Sequence, residues 1–325
     1  MGYHLDPTNA AFAAVLRGQP APHQMGGYAE ARQSLEDLQK QDSAKDIATE
    51  AIQFDGNYGP TEVKIFRLRS LLNKKIPAIF YTHGGGWIMG GPKSFAPLIE
   101  DLARRTGAAI VFPDYTRAPE KVFPFPIEQC YEVLEYVVGH GSEHSLLVET
   151  IALAGDSAGG QLAIAMMQLS LLRHLPADIS HIVLWAPVTT TDVKHLSYET
   201  YKDAPFLPVD ALDWMISTFL PNREDRKTAL SSPLTHLPDD TLRQFAPTTI
   251  FLSTIDPLVD EGASFGKRLQ DNGVDAAVIK AEGQMHAFCL LKVLRDGPTA
   301  RAIMELAASR LRKSLGLECV VCTSS

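Results

Sequence analysis

The chain has 325 residues, of which 45% are hydrophobic and 21% are charged, and its formal net charge is −8. This composition is typical of a globular protein with a sizeable core, and α/β proteins of this length often form one domain. A negative charge balance without a dense run of Lys and Arg argues against a nucleic-acid partner. We therefore expect one globular domain over residues 1–325.

The ends of the chain carry no recognisable targeting or redox signal. Residues 1–17 lack a positively charged segment followed by an apolar one, and no stretch of 18 uncharged apolar residues occurs, so neither a secretory signal nor a transmembrane helix is expected. Cys319 and Cys322 have a CxxC spacing, but no βαβ unit surrounds them to lower a thiol pKa, and no second pair of zinc ligands follows. We expect a cytoplasmic protein with no metal site.

Taken in chain order, the pattern changes from helical to alternating strands and helices near residue 52. Residues 28–45 are rich in helix-forming side chains. Alternation or short apolar runs predict strands at residues 62–68, 78–82, 108–112, 151–154, 181–185, 249–253 and 278–279. Helices are predicted between them at residues 97–105, 127–138, 159–173, 261–272 and 298–315. Apolar strands separated by helices predict an α/β fold whose mostly parallel sheet has helices on both faces.

One segment, residues 189–233, interrupts this alternation. It lies between two predicted strands, is too long for a loop and contains several aromatic side chains. Structureless loops of this length are rare unless they are functional. We expect it to form, together with residues 1–50, a helical cap over an active site; an ordinary additional helical pair is the alternative.

A Gly-Asp-Ser-Ala-Gly pentapeptide occupies residues 155–159, directly between a predicted strand and a predicted helix. Such a sharp turn exposes the central Ser157 hydroxyl at the strand tip, in front of a helix N-terminus that favours negative charge. This context makes Ser157 a candidate nucleophile. By itself the pentapeptide would fit a glycine-rich helix start equally well.

A second motif, His-Gly-Gly-Gly-Trp at residues 83–87, ends an earlier predicted strand. Successive glycines expose backbone N–H groups that can stabilise the oxyanion of acyl transfer. We assign this role to the N–H groups of Gly85, Gly86 and Ala158. A phosphate-binding loop is the alternative, but the residues that such a loop requires are absent at the right spacing.

A nucleophilic serine needs a base and an orienting carboxylate, which in this arrangement follow it in the order acid, then histidine. Asp256 follows the predicted strand at residues 249–253, and His286 is the only histidine after it. Both lie where the carboxyl ends of strands build active sites in α/β sheets. Asp260 is the second choice for the acid.

Together these motifs resemble the hormone-sensitive-lipase-like branch of the α/β-hydrolase superfamily. The resemblance also includes Asp-Pro-Leu-Val-Asp at residues 256–260, His-Ala-Phe at 286–288 and, with two departures from the usual Tyr-Arg-Leu-Ala-Pro-Glu, Tyr-Thr-Arg-Ala-Pro-Glu at 115–120. It implies an α/β-hydrolase fold with a helical cap and a carboxylesterase or lipase-like activity on a small-molecule ester, without a cofactor. The resemblance allows a homodimer and leaves the oligomeric state open.

The expected function is ester hydrolysis through an acyl-enzyme intermediate on Ser157. Trp87, Phe206 and Phe288 are candidate walls of the substrate pocket, with core packing as the alternative for each. Transfer of the acyl group to an acceptor other than water stays open. Two non-hydrolytic readings within the same branch, a plant dehydratase with threonine as nucleophile and a small-molecule hormone receptor without the histidine, are disfavoured by Ser157 and His286.

Overall fold

The computed structural model describes residues 4–42 and 44–317, so Cys319 and Cys322 lie outside the described residues. The strands are β1 Ile47–Gly56, β2 Gly59–Leu68, β3 Ile76–Thr82, β4 Ala109–Asp114, β5 Leu146–Asp156, β6 Asp178–Trp185, β7 Thr248–Ile255 and β8 Ala276–Met285. They form a single sheet in the order β1-β2-β4-β3-β5-β6-β7-β8. The strands from β3 to β8 run parallel, whereas β1 pairs with β2, and β2 with β4, in antiparallel fashion.

Helices occupy most of the connections between these strands. They are α1 Pro7–Leu16, α2 Tyr28–Leu38, α3 Pro92–Thr106, α4 Phe125–His140, α5 Ala158–Arg173, α6 Leu196–Thr200, α7 Val209–Phe219, α8 Pro233–His236, α9 Asp239–Leu242, α10 Val259–Asp271, α11 Lys292–Arg295 and α12 Pro298–Ser314. Single turns of 3₁₀ helix lie at Pro22–Gln24, Arg69–Leu71, Gly141–His144 and Arg223–Lys227. Within the described residues, every helix falls short of the length or the apolarity that a membrane span requires.

The strand order places helices on opposite faces of the sheet. The chain leaves β3 through α3 toward β4 in one direction, then returns through α4 to β5 and continues through α5 to β6 in the other. Because crossovers between parallel strands are right-handed, this reversal puts α3 on one face and α4 and α5 on the other. Helix α12 packs beside α3. The predicted two-sided α/β architecture is therefore confirmed.

The reversal also determines where a site can form. Strands β3 and β5 are neighbours, and Thr82 at the end of β3 pairs with Gly155 near the end of β5. The loops that follow these two strands leave the same edge of the sheet on either side of the reversal, which is where open α/β sheets place their ligands. The glycine motif and the serine pentapeptide are thereby brought side by side.

The predicted strands and helices are all present, but some extend well beyond the predicted ends, since β5 begins at Leu146 and β8 ends at Met285. One strand was not predicted. Residues 47–50, which the sequence pattern includes in a helix-prone segment, begin β1. This strand forms a hairpin with β2 through a turn at Asn57 and Tyr58. Its Ala, Glu and Gln side chains favour helix, and pairing with the half-buried β2 overrides that preference.

Candidate active site

The nucleophile candidate stands on a strained turn. Strand β5 ends at Asp156 and α5 begins at Ala158, so Ser157 alone makes the connection, with φ of 53° and ψ of −123°. A positive φ at a residue with a side chain costs free energy and is found mainly where function requires it. The helix can start this close to β3 only because residue 159 is glycine: a Cβ there would lie 2.1 Å from the Thr82 carbonyl oxygen.

Three side chains that are far apart in sequence form one hydrogen-bonded series. His286 Nδ1 lies 2.7 Å from Asp256 Oδ2, and His286 Nε2 lies 3.0 Å from Ser157 Oγ. Asp256 is fully buried, and its other oxygen accepts a hydrogen bond from the backbone N–H of Leu258. The structure therefore brings together the three residues predicted as nucleophile, base and acid. Asp260, the second choice for the acid, instead accepts a hydrogen bond from the backbone N–H of Ser197.

The electrostatics of the histidine follow from its surroundings. Burial lowers the pKa of His286, but the charge of Asp256 and the hydrogen bond to it raise that pKa more, and Asp156 adds a smaller contribution in the same direction. The net pKa is raised above the ordinary value. Such a histidine accepts a proton readily and stabilises the resulting positive charge against a buried carboxylate.

The glycine loop presents backbone donors next to this series. Gly85 and Gly86 have φ values of 94° and 63°, and the Gly85 carbonyl accepts hydrogen bonds from the N–H groups of Ile88 and Met89. Within the described residues, the N–H groups of Gly85, Gly86 and Ala158 donate to no other group of the chain. Three unpaired donors at the ends of neighbouring strands are suited to bind a negatively charged oxygen.

The three predicted pocket walls differ in their positions. Phe288 lines a small cavity that also contacts Ser157 and His286. Trp87 has no exposed surface: its ring stacks on Phe219 at 4.7 Å and its indole N–H donates to Gln161. Phe206 is partly buried, with a φ of 70°, and does not line that cavity. Only one of the three is therefore brought to the hydrogen-bonded series.

Sequence reasoning missed a fourth polar residue at this site, Asp156. Its carboxylate is buried beside the glycine loop, where it accepts hydrogen bonds from Tyr81 Oη and from the Gly84 N–H. An acidic residue between an apolar strand and a helix start is a signal that could have indicated it. Within the described residues there is no cluster of three His, Cys, Asp or Glu side chains suited to a metal ion.

Comparison with known proteins agrees with this fold. A family model described as alpha/beta hydrolase fold matches residues 79–290. An esterase of Gibberella moniliformis is 67% identical over 309 residues, which are 95% of this chain and 97% of that protein. The crystal structure of carboxyl esterase 2 from the fungus Tuber melanosporum has a TM-score of 0.87 at 31% identity, covering 96% of this chain and 99% of its own. A thermostable esterase from Pseudomonas putida has a TM-score of 0.93 at 26% identity, covering 98% and 100%.

The fold, the strained serine turn and these similarities define an α/β hydrolase of the esterase type. The chain belongs to the hormone-sensitive-lipase-like branch of that superfamily. The predictions of fold, branch and enzyme class are therefore confirmed.

Proposed function

We propose that the chain hydrolyses carboxylic esters of small to medium, partly apolar molecules, with Ser157, His286 and Asp256 as its catalytic triad. The observation that carries this proposal is the pair of hydrogen bonds that joins Asp256 to His286 and His286 to Ser157. Such a series gives a serine hydroxyl both a base and an orienting carboxylate, which an isolated serine lacks.

The reaction follows from these positions. With the Nδ1 proton donated to Asp256, His286 Nε2 is free to take the proton of Ser157 Oγ as that oxygen attacks the ester carbonyl. The N–H groups of Gly85, Gly86 and Ala158 hold the oxyanion that forms. His286 then protonates the leaving alcohol, and water, activated by the same histidine, releases the acid from the acyl-enzyme. This cycle requires no cofactor.

We further propose that residues 1–50 and 189–233 form a cap over this site, although residues 47–50 begin β1. The aromatic ring of Tyr28 stacks on Trp214 at 5.3 Å, which joins the two segments. The neighbouring Met215 packs against the glycine loop: a Cβ on Gly86 would lie 2.1 Å from its sulfur. Apolar cap side chains at the oxyanion loop favour a substrate that is itself partly apolar.

The test is a series of p-nitrophenyl esters from acetyl upward, assayed with the wild type, Ser157→Ala and Ser180→Ala. Ser180 lies near the amino end of β6, whereas the proposed site lies at the carboxyl ends of the strands. Ser180→Ala therefore controls for a serine-to-alanine change away from the site. We expect Ser157→Ala to lower turnover by about 10⁴–10⁶-fold and Ser180→Ala to leave it unchanged.

Two results would contradict the proposal. Wild-type turnover in folded Ser157→Ala would exclude this serine as the nucleophile. A folded wild type that cleaves no ester in the series would exclude simple ester hydrolysis. Mass spectrometry after mixing with substrate supplies a second reading, because the mechanism requires one acyl group on the peptide that contains Ser157.

A further inference from the structure

The residue before the proposed nucleophile joins two parts of the site. Asp156 is 5% exposed, and its Oδ1 accepts a hydrogen bond of 3.0 Å from the N–H of Gly84 and one of 2.7 Å from Tyr81 Oη. Gly84 directly precedes the two glycines proposed to hold the oxyanion. A single carboxylate oxygen thus ties the serine turn to the glycine loop.

The packing around this carboxylate leaves little freedom. A Cβ on Gly84 would lie 2.4 Å from Asp156 Oδ2 and 2.7 Å from the Asp156 backbone oxygen. Only glycine permits such an approach, because real Cβ contacts at these distances do not occur. The distance between the loop and the serine turn is therefore determined by direct contact as well as by the hydrogen bond.

The carboxylate also acts through its charge. Burial raises the pKa of Asp156 to about 6, while the hydrogen bonds from Tyr81 and Gly84 and the charge of His286 oppose that rise. Asp156 is therefore mainly ionised at pH 8. The other titratable groups around it, Tyr81, Tyr115 and Cys289, are buried and have pKa values raised above the ordinary ones. They stay neutral at that pH. His286 lines the same small cavity as Asp156 and is therefore the group that responds to the Asp156 charge.

We propose that Asp156 is a positioning residue for this hydrolase: it holds the oxyanion loop in register with Ser157, and its negative charge stabilises protonated His286 during the reaction. The proposal rests on the proposed function, since it takes Ser157 as the nucleophile. Two separable effects follow. The hydrogen bond to Gly84 sets the geometry of the oxyanion donors, and the charge supplements that of Asp256.

Two substitutions separate these effects. Asp156→Asn retains a side-chain oxygen that can accept from Gly84 and Tyr81 but removes the charge, whereas Asp156→Ala removes both. We expect Asp156→Ala to lower kcat by about 10²-fold, the usual cost of a misplacement near 1 Å, with little change in KM. Asp156→Asn should lose less of kcat. In Asp156→Asn, the acidic limb of the plot of kcat/KM against pH should shift to lower pH, because one of the charges that raise the His286 pKa has been removed.

Tyr81→Phe is the graded comparison, since it removes one donor to Asp156 and leaves the carboxylate and the Gly84 bond. Because the Tyr81 hydrogen bond lowers the Asp156 pKa, the acidic limb of this variant should shift in the same direction as that of Asp156→Asn, but by less. All variants are assayed as the full chain on p-nitrophenyl acetate, with circular dichroism and urea unfolding to measure folding. If Asp156→Ala does not fold, Asp156→Asn decides the question through its pH profile.

The outcomes distinguish this inference from the proposed function. If Ser157→Ala is inactive while Asp156→Asn keeps the wild-type pH profile and Asp156→Ala keeps the wild-type kcat, the positioning role is wrong and the triad stands. A drop in stability with unchanged kinetic constants would likewise reduce Asp156 to a packing residue. Activity in Ser157→Ala would instead overturn the proposed function, and the inference with it.

Discussion

Gly86→Ala tests the proposed oxyanion loop and its contact with the cap. The added Cβ would lie 2.1 Å from Met215 Sδ and 2.6 Å from Met215 Cγ. Since non-bonded carbon contacts are near 3.5–4.0 Å, the sulfur must move by about 1.5 Å. Alanine at the Gly86 φ of 63° adds a backbone cost of about 1–2 kcal/mol.

The expected result is a loss of both catalysis and stability. Overpacking of this kind costs about 1–3 kcal/mol, part of which a flexible methionine relieves. A loop shift that withdraws one oxyanion donor lowers kcat by about 10²–10³-fold. We therefore expect kcat of Gly86→Ala to fall by about 10²-fold, with a lower urea midpoint and the same circular dichroism spectrum.

The double variant Gly86→Ala/Met215→Ala refines this test. Removal of the Met215 sulfur relieves the closest contact, so the double variant should recover part of the lost kcat, whereas Met215→Ala alone should change kcat little. Stopped-flow acylation with p-nitrophenyl acetate gives the rate of the step in which the oxyanion forms. A Gly86→Ala enzyme whose acylation rate stays within about threefold of the wild type would refute the assignment of this loop to the oxyanion hole.

Three further predictions concern packing, pH and the cap. Gly159→Ala should destabilise the protein by 1–3 kcal/mol or more in urea unfolding, because its Cβ would meet backbone atoms of β3. Gly139→Ala is the control, because open space surrounds the added Cβ in α4, and it should leave the stability unchanged or raise it. Equal urea midpoints for Gly159→Ala and Gly139→Ala would contradict the close packing of α5 against β3. The kcat/KM profile of the wild type should rise with pH through a pKa above that of an ordinary histidine, because a general base must be neutral and the His286 pKa is raised. A flat profile down to pH 5 would argue against that base. Tyr28→Ala should raise KM by up to about tenfold through loss of its stacking on Trp214, and Tyr28→Phe should not; equal KM values for the two variants would remove this support for the cap.

The strands of the parallel sheet could be predicted from the sequence because burial on both faces leaves a continuous apolar run in each. Strand β3, for example, is buried at every residue. Strand β1 could not be predicted in the same way. It lies at the edge of the sheet and pairs with β2, and after Ile47 its positions alternate between half-buried and exposed, with helix-favouring Ala, Glu and Gln among them. Its conformation is decided by the neighbouring strand, which a local pattern does not contain.

Local sequence also determined the identity and order of the proposed triad. Ser157 stands in a strand-to-helix turn, and Asp256 and His286 follow strands in the order that the motifs require. The walls of the substrate pocket could not be predicted from local sequence in this way. Trp87 is the last residue of the glycine motif, yet its ring packs in the interior against Phe219, because the position of a large apolar side chain depends on which helix covers it.

Only the tertiary structure decided the distances. Ser157 and His286 are 129 residues apart, and their contact depends on a strand order in which β5 to β8 run side by side. The hydrogen bond from Gly84 to Asp156 similarly requires β3 and β5 to be neighbours. A residue pattern records what each segment buries, but the contacts between segments arise from how the buried faces pack together. The sequence alone therefore determined which residues carry the proposed chemistry, and the packing of the sheet determined that they meet.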